Sequence, residues 1–176
     1  NTKEHEVIFY VKALGGMQVT VVEDSTGNGV DEVEVEIKDA KGNVVAGSPY
    51  KTVNGMINLN NLPVGKYTLK VVDTTIPANT KLIKESEATK VVEVLENKVA
   101  KEQFKIIKTT TLIIDVVDET KPNQKLDGST GMVEDQYGNK TEVVATNGTA
   151  TLPKWPITTD TNNPTKVTIT KVPSTH

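Results

Sequence analysis

Apolar and polar residues alternate with a period of two through much of this chain, and the clearest instance is the run in which Val33, Val35 and Ile37 interleave with Glu32, Glu34, Glu36 and Lys38. One face of such a segment packs on a core and the other meets water, the signature of a half-buried β-strand. Residues 17–23 alternate in the same way through Met17, Val19 and Val21, and residues 66–72 through Tyr67, Leu69 and Val71. Further strands are predicted at residues 56–60, 89–95 and 99–107, and an apolar run at residues 7–11 reads as a strand that leads into a flexible corner at Gly15-Gly16. The connection from residue 74 to 87 holds no helical stripe. Turn chemistry separates the strands: Asn28-Gly29, Gly42-Asn43, Asn54-Gly55, and the break Leu62-Pro63-Val64-Gly65, where proline presets one backbone angle and glycine accepts a positive one. Short strands with turns about every ten residues predict an all-β fold of the β-sandwich type.

The pattern repeats. Asp39-Ala40-Lys41-Gly42-Asn43 returns as Asp135-Gln136-Tyr137-Gly138-Asn139. Asn54-Gly55 and Leu62-Pro63 return as Asn147-Gly148 and Leu152-Pro153, residues 17–23 as 112–118, and residues 67–71 as 167–171. Phe104-Lys105-Ile106-Ile107-Lys108 leads into the second copy much as Phe9-Tyr10-Val11-Lys12 leads into the first. The expected organisation is therefore tandem: residues 1–13 as the terminal strand of a preceding unit plus a linker, residues 14–107 as a complete Ig-like or prealbumin-like β-sandwich, and residues 108–176 as a second, incomplete sandwich lacking its final strands. Short linkers at residues 12–16 and 108–111 would join the units, and the array would run past both ends. An open sheet edge in the second unit and an orphan strand at residues 6–12 suggest head-to-tail strand exchange between molecules.

Composition narrows the function. Formal charge is −3, from 20 basic and 23 acidic residues with the signs interleaved, which gives no footprint for nucleic acid. No apolar run is long enough to insert into a membrane, and the stretch, which reads without a signal peptide or sorting tail of its own, is expected to be a mature segment or an excised piece of a longer protein. Cysteine is absent, which removes disulfides and thiolate chemistry. His5 and His176, the two histidines, lie at opposite ends, so neither a serine triad nor a histidine metal site is expected. The chain reads as a non-enzyme with no catalytic residues, no cofactor-binding residues, no metal ligands and no cofactor. One oxygen-rich turn, with Asp24, Asn28 and Asp31, leaves a calcium loop open beside the favoured reading of a solvated turn. Trp155, between Pro153 and Pro156, reads either as a recognition platform or, preferably, as a plug at the end of a sandwich core. Asn139 and Asn147 fit the glycosylation sequon and are read as turn residues.

The series Gly27-x-Gly29-Val30-x-x-Val33-x-Val35-x-Ile37-x-Asp39 with Gly42-Asn43, then Asn54-Gly55, Leu62-Pro63-Val64-Gly65-Lys66-Tyr67-Thr68-Leu69 and Pro77, resembles the Cna B-type (SpaA-like, prealbumin-like) domain of Gram-positive surface adhesins and sortase-assembled pilins. The resemblance implies structural stalk or spacer repeats of a bacterial cell-surface protein, located outside the cell and anchored to the wall through parts beyond this chain. Neighbouring repeats of the same polypeptide are the implied partners. Alternatives are an adhesin domain that binds a host matrix protein or glycan, or an accessory β-domain of a secreted enzyme or S-layer protein. Many such domains carry a Lys–Asn isopeptide bond between the first and last strands, assisted by a buried acid. The resemblance places Val21 at the lysine position, Val71 at the acid and Phe104 at the asparagine. In the second unit residues 111–117 hold no lysine, and the acid position falls on Thr170 or Lys171. No isopeptide bond is expected in either unit.

Overall fold

The computed structural model describes residues 4–157, 162 and 164–173. The protein is all-β, two β-sandwiches in tandem, and among the described residues the helical segments are two single 3₁₀ turns at Asp73–Thr75 and Glu85–Glu87. In the first unit β1 (Leu14–Glu23) enters a sheet between β4 (Met56–Pro63), which pairs antiparallel with it, and β8 (Val99–Asp115), which pairs parallel; β6 (Thr80–Leu82) also lies against β8. The facing sheet has the order β3 (Tyr50–Lys51), β2 (Glu34–Asp39), β5 (Gly65–Val71) and β7 (Thr89–Val94). The residues predicted to face inward do so: Met17, Val19, Val21, Val33, Val35, Ile37, Tyr67, Leu69 and Val71 form one buried cluster with Phe104 and Ile106. Each such aliphatic burial contributes roughly 1.5–3 kcal/mol, so this cluster is the main source of the first unit's stability.

The second unit repeats the plan with fewer strands. The far part of β8 pairs antiparallel with β13 (Thr149–Pro156), and β11 (Thr130–Glu134) lies between β12 (Lys140–Val144) and β14 (Lys166–Lys171). A small hairpin of β9 (Val117–Asp118) and β10 (Lys121–Lys125) sits at one end. Among the described residues no strand covers the edge of β8 opposite β13 beyond Lys108, and none covers the outer edge of β14.

The hydrogen bonds define the repeat's register. Val21 N–H donates to Gly55 O and Val116 N–H to Gly148 O, both at 2.9 Å, and Val30 and Leu126 donate to the carbonyls of Val21 and Val116 at 2.8 Å. Gly15 faces Leu62 across β1 and β4, and Thr110 faces Trp155 across β8 and β13, with the same ladder irregularity beside each pair. The counterpart of Leu62-Pro63 is therefore Trp155-Pro156, not Leu152-Pro153. The pairings Val35–Val71 and Gly131–Ile169 likewise set Ile169, rather than Thr170 or Lys171, where Val71 stands in the first unit. The letters mislead because a ladder irregularity between Leu152 and Trp155 moves the register along in β13, and because β14 is exposed at every position, so its pattern marks no buried face.

Three further expectations give way. Residues 4–13 form no strand: Val64 N–H donates to Ala13 O at 3.1 Å at the end of the segment, and Phe9 within it is 84% exposed. Gly15-Gly16 is part of β1, not a corner. A Cβ on Gly15 would stand 2.2 Å from the carbonyl oxygen of Leu95, so glycine is needed there for close approach of two backbones. Residues 108–111 are not a linker either: β8 runs unbroken for 17 residues from one sandwich into the other.

Candidate functional site

The continuity of β8 makes the junction between the sandwiches the most organised polar site in the chain. Ile106 and Ile107 are both buried although they point to opposite faces of the strand. Ile106 belongs to the first core, whereas Ile107 is paired in register with Lys81 of β6, on the side where the second unit docks. Lys81 Nζ lies 3.5 Å from Asp135 Oδ2, 3.8 Å from Glu85 Oε1 and 5.9 Å from the centre of the Trp155 ring. Asp135 is buried and opens the turn between β11 and β12. Its carboxylate accepts the backbone N–H groups of Tyr137 and Asn139 at 2.9 and 3.0 Å and the Asn139 side-chain amide at 2.7 Å. Asn139 Nδ2 also donates to the carbonyl of Ile83 at 2.9 Å, a second bond from one unit to the other.

In the first unit the matching turn is the same chemistry without the docking. Asp39 accepts from Lys41 N, Asn43 N and Asn43 Nδ2 at 2.9, 2.9 and 3.1 Å and is solvent-facing. The Asn43 side-chain bond, with those backbone bonds, holds the Asp39 carboxyl below the usual carboxylate range. The turn motif thus builds a carboxylate nest twice, and the second copy is used to receive a lysine from its neighbour.

Trp155 is buried, and its indole N–H donates to Thr165 Oγ1 at 2.9 Å. It is a plug at the end of the second sandwich and part of the junction, with no ring face offered as a platform. At the positions implied for a cross-link, Val21 and Phe104 are register partners on β1 and β8, and they and Val71 are buried in the apolar core. No amine and no amide side chain meets there. The turn with Asp24, Asn28 and Asp31 does not gather its oxygens: Asp24 pairs with Lys105 Nζ at 3.2 Å and Asp31 accepts the Gly55 N–H at 2.7 Å. Asn139 and Asn147 are both turn residues, Asn147 with a positive φ of 54°. His5 lies in the unpaired segment, and His176 is outside the described residues.

Another polar cluster lies on the far part of β8. Lys125 Nζ and Thr149 Oγ1 both donate to Asp115 Oδ1, at 2.8 and 2.6 Å, and with the Lys125 bond leading they hold that carboxyl below its ordinary range. These contacts tie β10, β13 and β8 together at the tip of the second unit. They serve structure, since each member is already satisfied by the others.

Comparison with known proteins gives three results. Residues 17–85 match the family described as "Secretion system C-terminal sorting domain", which is under half of the chain. No curated protein matches the sequence. Among solved structures, a streptococcal ancillary pilin aligns with a TM-score of 0.45 at 16% identity over 92% of this chain and 55% of its own. A minor pilin of Streptococcus agalactiae aligns with a TM-score of 0.48 at 16% identity over 60% of this chain and 49% of its own. The shaft pilin SpaA of Lactobacillus rhamnosus GG aligns with a TM-score of 0.40 at 8% identity over 90% and 75%. The chain spans about half the length of the ancillary and minor pilins it matches. The solved structures it is similar to are pilins, each at low identity and with a TM-score below 0.5.

Proposed function

We propose that this chain is a non-enzymatic spacer: two stacked sandwiches of a bacterial surface adhesin or pilus protein, outside the cell, that hold a more distal part at a set distance and direction. The observation that carries this reading is β8. A single strand of 17 residues closes one sandwich and opens the next, a span of about 55 Å at roughly 3.3 Å per residue. A flexible tether would place Gly, Ser or Pro between the units; here the crossing residues Lys108, Thr109 and Thr110 are β-paired, Thr109 N–H to Asn79 O and Ile157 N–H to Lys108 O. Bending would break backbone hydrogen bonds and expose Ile107 and Trp155. The sequence resemblance to stalk domains of Gram-positive surface proteins supports the same reading.

The test is whether both units report one orientation. Residual dipolar couplings measured on the full chain at dilution should fit a single alignment tensor for residues of β2 and β11 alike. Two independent tensors would overturn the spacer reading. A binding screen against matrix proteins and glycans tests the adhesin alternative, and the spacer reading expects no saturable binding.

A further inference from the structure

The strands by which the chain enters and leaves the first unit are neighbours and run the same way. β1 enters at Leu14, β8 leaves toward the second unit, and the two pair in parallel from Gly16 opposite Val99 to Glu23 opposite Ile106. Backbone hydrogen bonds bracket this ladder. At one end Asn97 N–H donates to Leu14 O at 2.9 Å and Gly16 N–H to Lys98 O at 2.8 Å; at the other Asp24 N–H donates to Ile106 O at 2.9 Å. Ion pairs tie the same end, Lys105 Nζ with Asp24 at 3.2 Å and Lys108 Nζ with Glu23 at 3.5 Å. On the inner face Met17, Val19 and Val21 of β1 are buried in one cluster with Phe104 and Ile106 of β8, so sliding one strand along the other would drag side chains through a close-packed core. Parallel neighbours need a crossover connection, and here the crossover is the rest of the unit, residues 24–98.

Tension applied before Leu14 and within the second unit pulls β1 toward its start and β8 toward its end. The two pulls run along the strands in opposite directions, perpendicular to the hydrogen bonds between them, so the bonds of the ladder are loaded together. The other strands of the first unit lie between β1 and β8 in sequence and bear no load until the ladder parts. We propose that the β1–β8 ladder is a tensile clamp, which keeps the first unit folded under a load carried along the polypeptide. Because β8 is continuous, it passes that load into the second unit with no slack segment between them. The same ladder is weak to a different pull: Lys12 and Lys98 lie at the same end of the two strands, and drawing them apart opens the pairs one at a time from Gly16 and Val99. The inference rests on the spacer reading for the source of the load. The resistance itself belongs to the first unit and does not depend on whether the two units share an orientation.

The experiment is force spectroscopy of the full chain in optical tweezers, held by DNA handles on pairs of introduced cysteines; the chain has no cysteine of its own, so each handle attaches at one place. One form carries Lys12→Cys and Thr111→Cys, which loads the ladder along its length. The other carries Lys12→Cys and Lys98→Cys, which opens the same ladder from one end. All three positions are exposed, so the handles leave both cores intact. The expected result is a single cooperative rupture of the first unit in the lengthwise form, at a force severalfold above that of the end-opening form at the same loading rate. Both forms share one equilibrium stability, and forced unfolding follows the unfolding rate along the pulled direction. Equal rupture forces overturn the proposal. So does stepwise yielding of the lengthwise form at low force, which would mean that the strands peel. The result is distinguishable from the dipolar couplings: two alignment tensors would remove the spacer reading and leave the clamp, whereas equal forces would remove the clamp and leave the shared tensor.

Discussion

Removing the lysine from the junction should cost stability that the matching turn in the first unit does not feel. Lys81 Nζ and Asp135 Oδ2 are 3.5 Å apart and both side chains are largely shielded from water. At an effective dielectric of about 20 the gross attraction at that distance is roughly 5 kcal/mol, an upper bound that desolvation of the two groups reduces. Breaking a buried pair costs about 3–5 kcal/mol when the survivor is left uncompensated. Asp135 would not be uncompensated, because Tyr137 N, Asn139 N and Asn139 Nδ2 still donate to it. The loss on Lys81→Ala is therefore expected at roughly 1–3 kcal/mol, the range for a charged hydrogen bond in a partly satisfied site. A double-mutant cycle of Lys81→Ala with Asp135→Ala, followed by urea unfolding through Trp155 fluorescence, should give a coupling of about 1–2 kcal/mol. The control cycle pairs Lys81→Ala with Asp39→Ala, which disrupts the same turn chemistry away from the junction, and it should be additive within about 0.3–0.5 kcal/mol. Equal coupling in both cycles, or none in either, would refute the argument that the second turn is a docking site.

Gly15→Ala should destabilise the first unit by roughly 1–3 kcal/mol or more, since the new Cβ would sit 2.2 Å from a backbone oxygen that cannot move aside; thermal unfolding reads it, with Gly42→Ala, where the positive φ of 83° is strained but no atom is met, as the comparison that isolates backbone strain from the clash. Phe104→Ala should cost about 3–5 kcal/mol, because Phe104 is among the largest fully buried side chains; calorimetry should show the loss in the first unit's transition. Acid should weaken the protein through Asp39 and Asp115, whose carboxyls are held low by the Asn43 and Lys125 hydrogen bonds. A depressed folded value contributes stability above the unfolded value, about 3.9 for aspartate, and that contribution is lost as pH falls through the folded value. Urea midpoints should fall on going from neutral pH into that acid range, and Asp115→Asn should flatten part of the fall.

The strands of the first unit were legible because their two faces differ in kind. Glu34 and Glu36 cannot be buried beside Val33, Val35 and Ile37, so period two sets both the strand and the side it shows the core. The turns were legible because Asn54, Gly55, Pro63 and Gly65 have few other uses. Residues 7–11 show the limit of the same reasoning: pattern and propensity identify a strand-former, but a strand needs an edge to pair with. Gly15-Gly16 looked like a corner since glycine marks turns far more often than it marks two backbones passing at close range. Trp155-Pro156 was missed as the partner of Leu62-Pro63 because Leu152-Pro153 matches in letters, and a ladder irregularity between Leu152 and Trp155 moves the true register along. Lys81 gave no signal at all. It lies in a connection without periodicity, and its partner Asp135 is distant in sequence, so only docking brings them together.

The junction also explains one departure from alternation that local rules leave unexplained. Phe104-Lys105-Ile106-Ile107-Lys108 places two isoleucines in succession, which wastes one on solvent if the strand has a single buried face. Both are buried, because the inner face of β8 belongs to the first core while its outer face at Ile107 lies beneath the docking of the second unit. Orientation therefore resides in the outer face, in Ile107, Lys81 and the Asp135 turn, and stability of the first sandwich in the inner face, in Phe104 and Ile106. The two should separate on mutation. Ile107→Ala should leave the first unit's unfolding transition near its original temperature while the dipolar couplings of the two units cease to share a tensor, whereas Phe104→Ala should lower the transition and leave the shared tensor intact below it. If Ile107→Ala instead lowers the first transition as far as Phe104→Ala does, the outer face is part of that core and the division of labour along β8 is wrong.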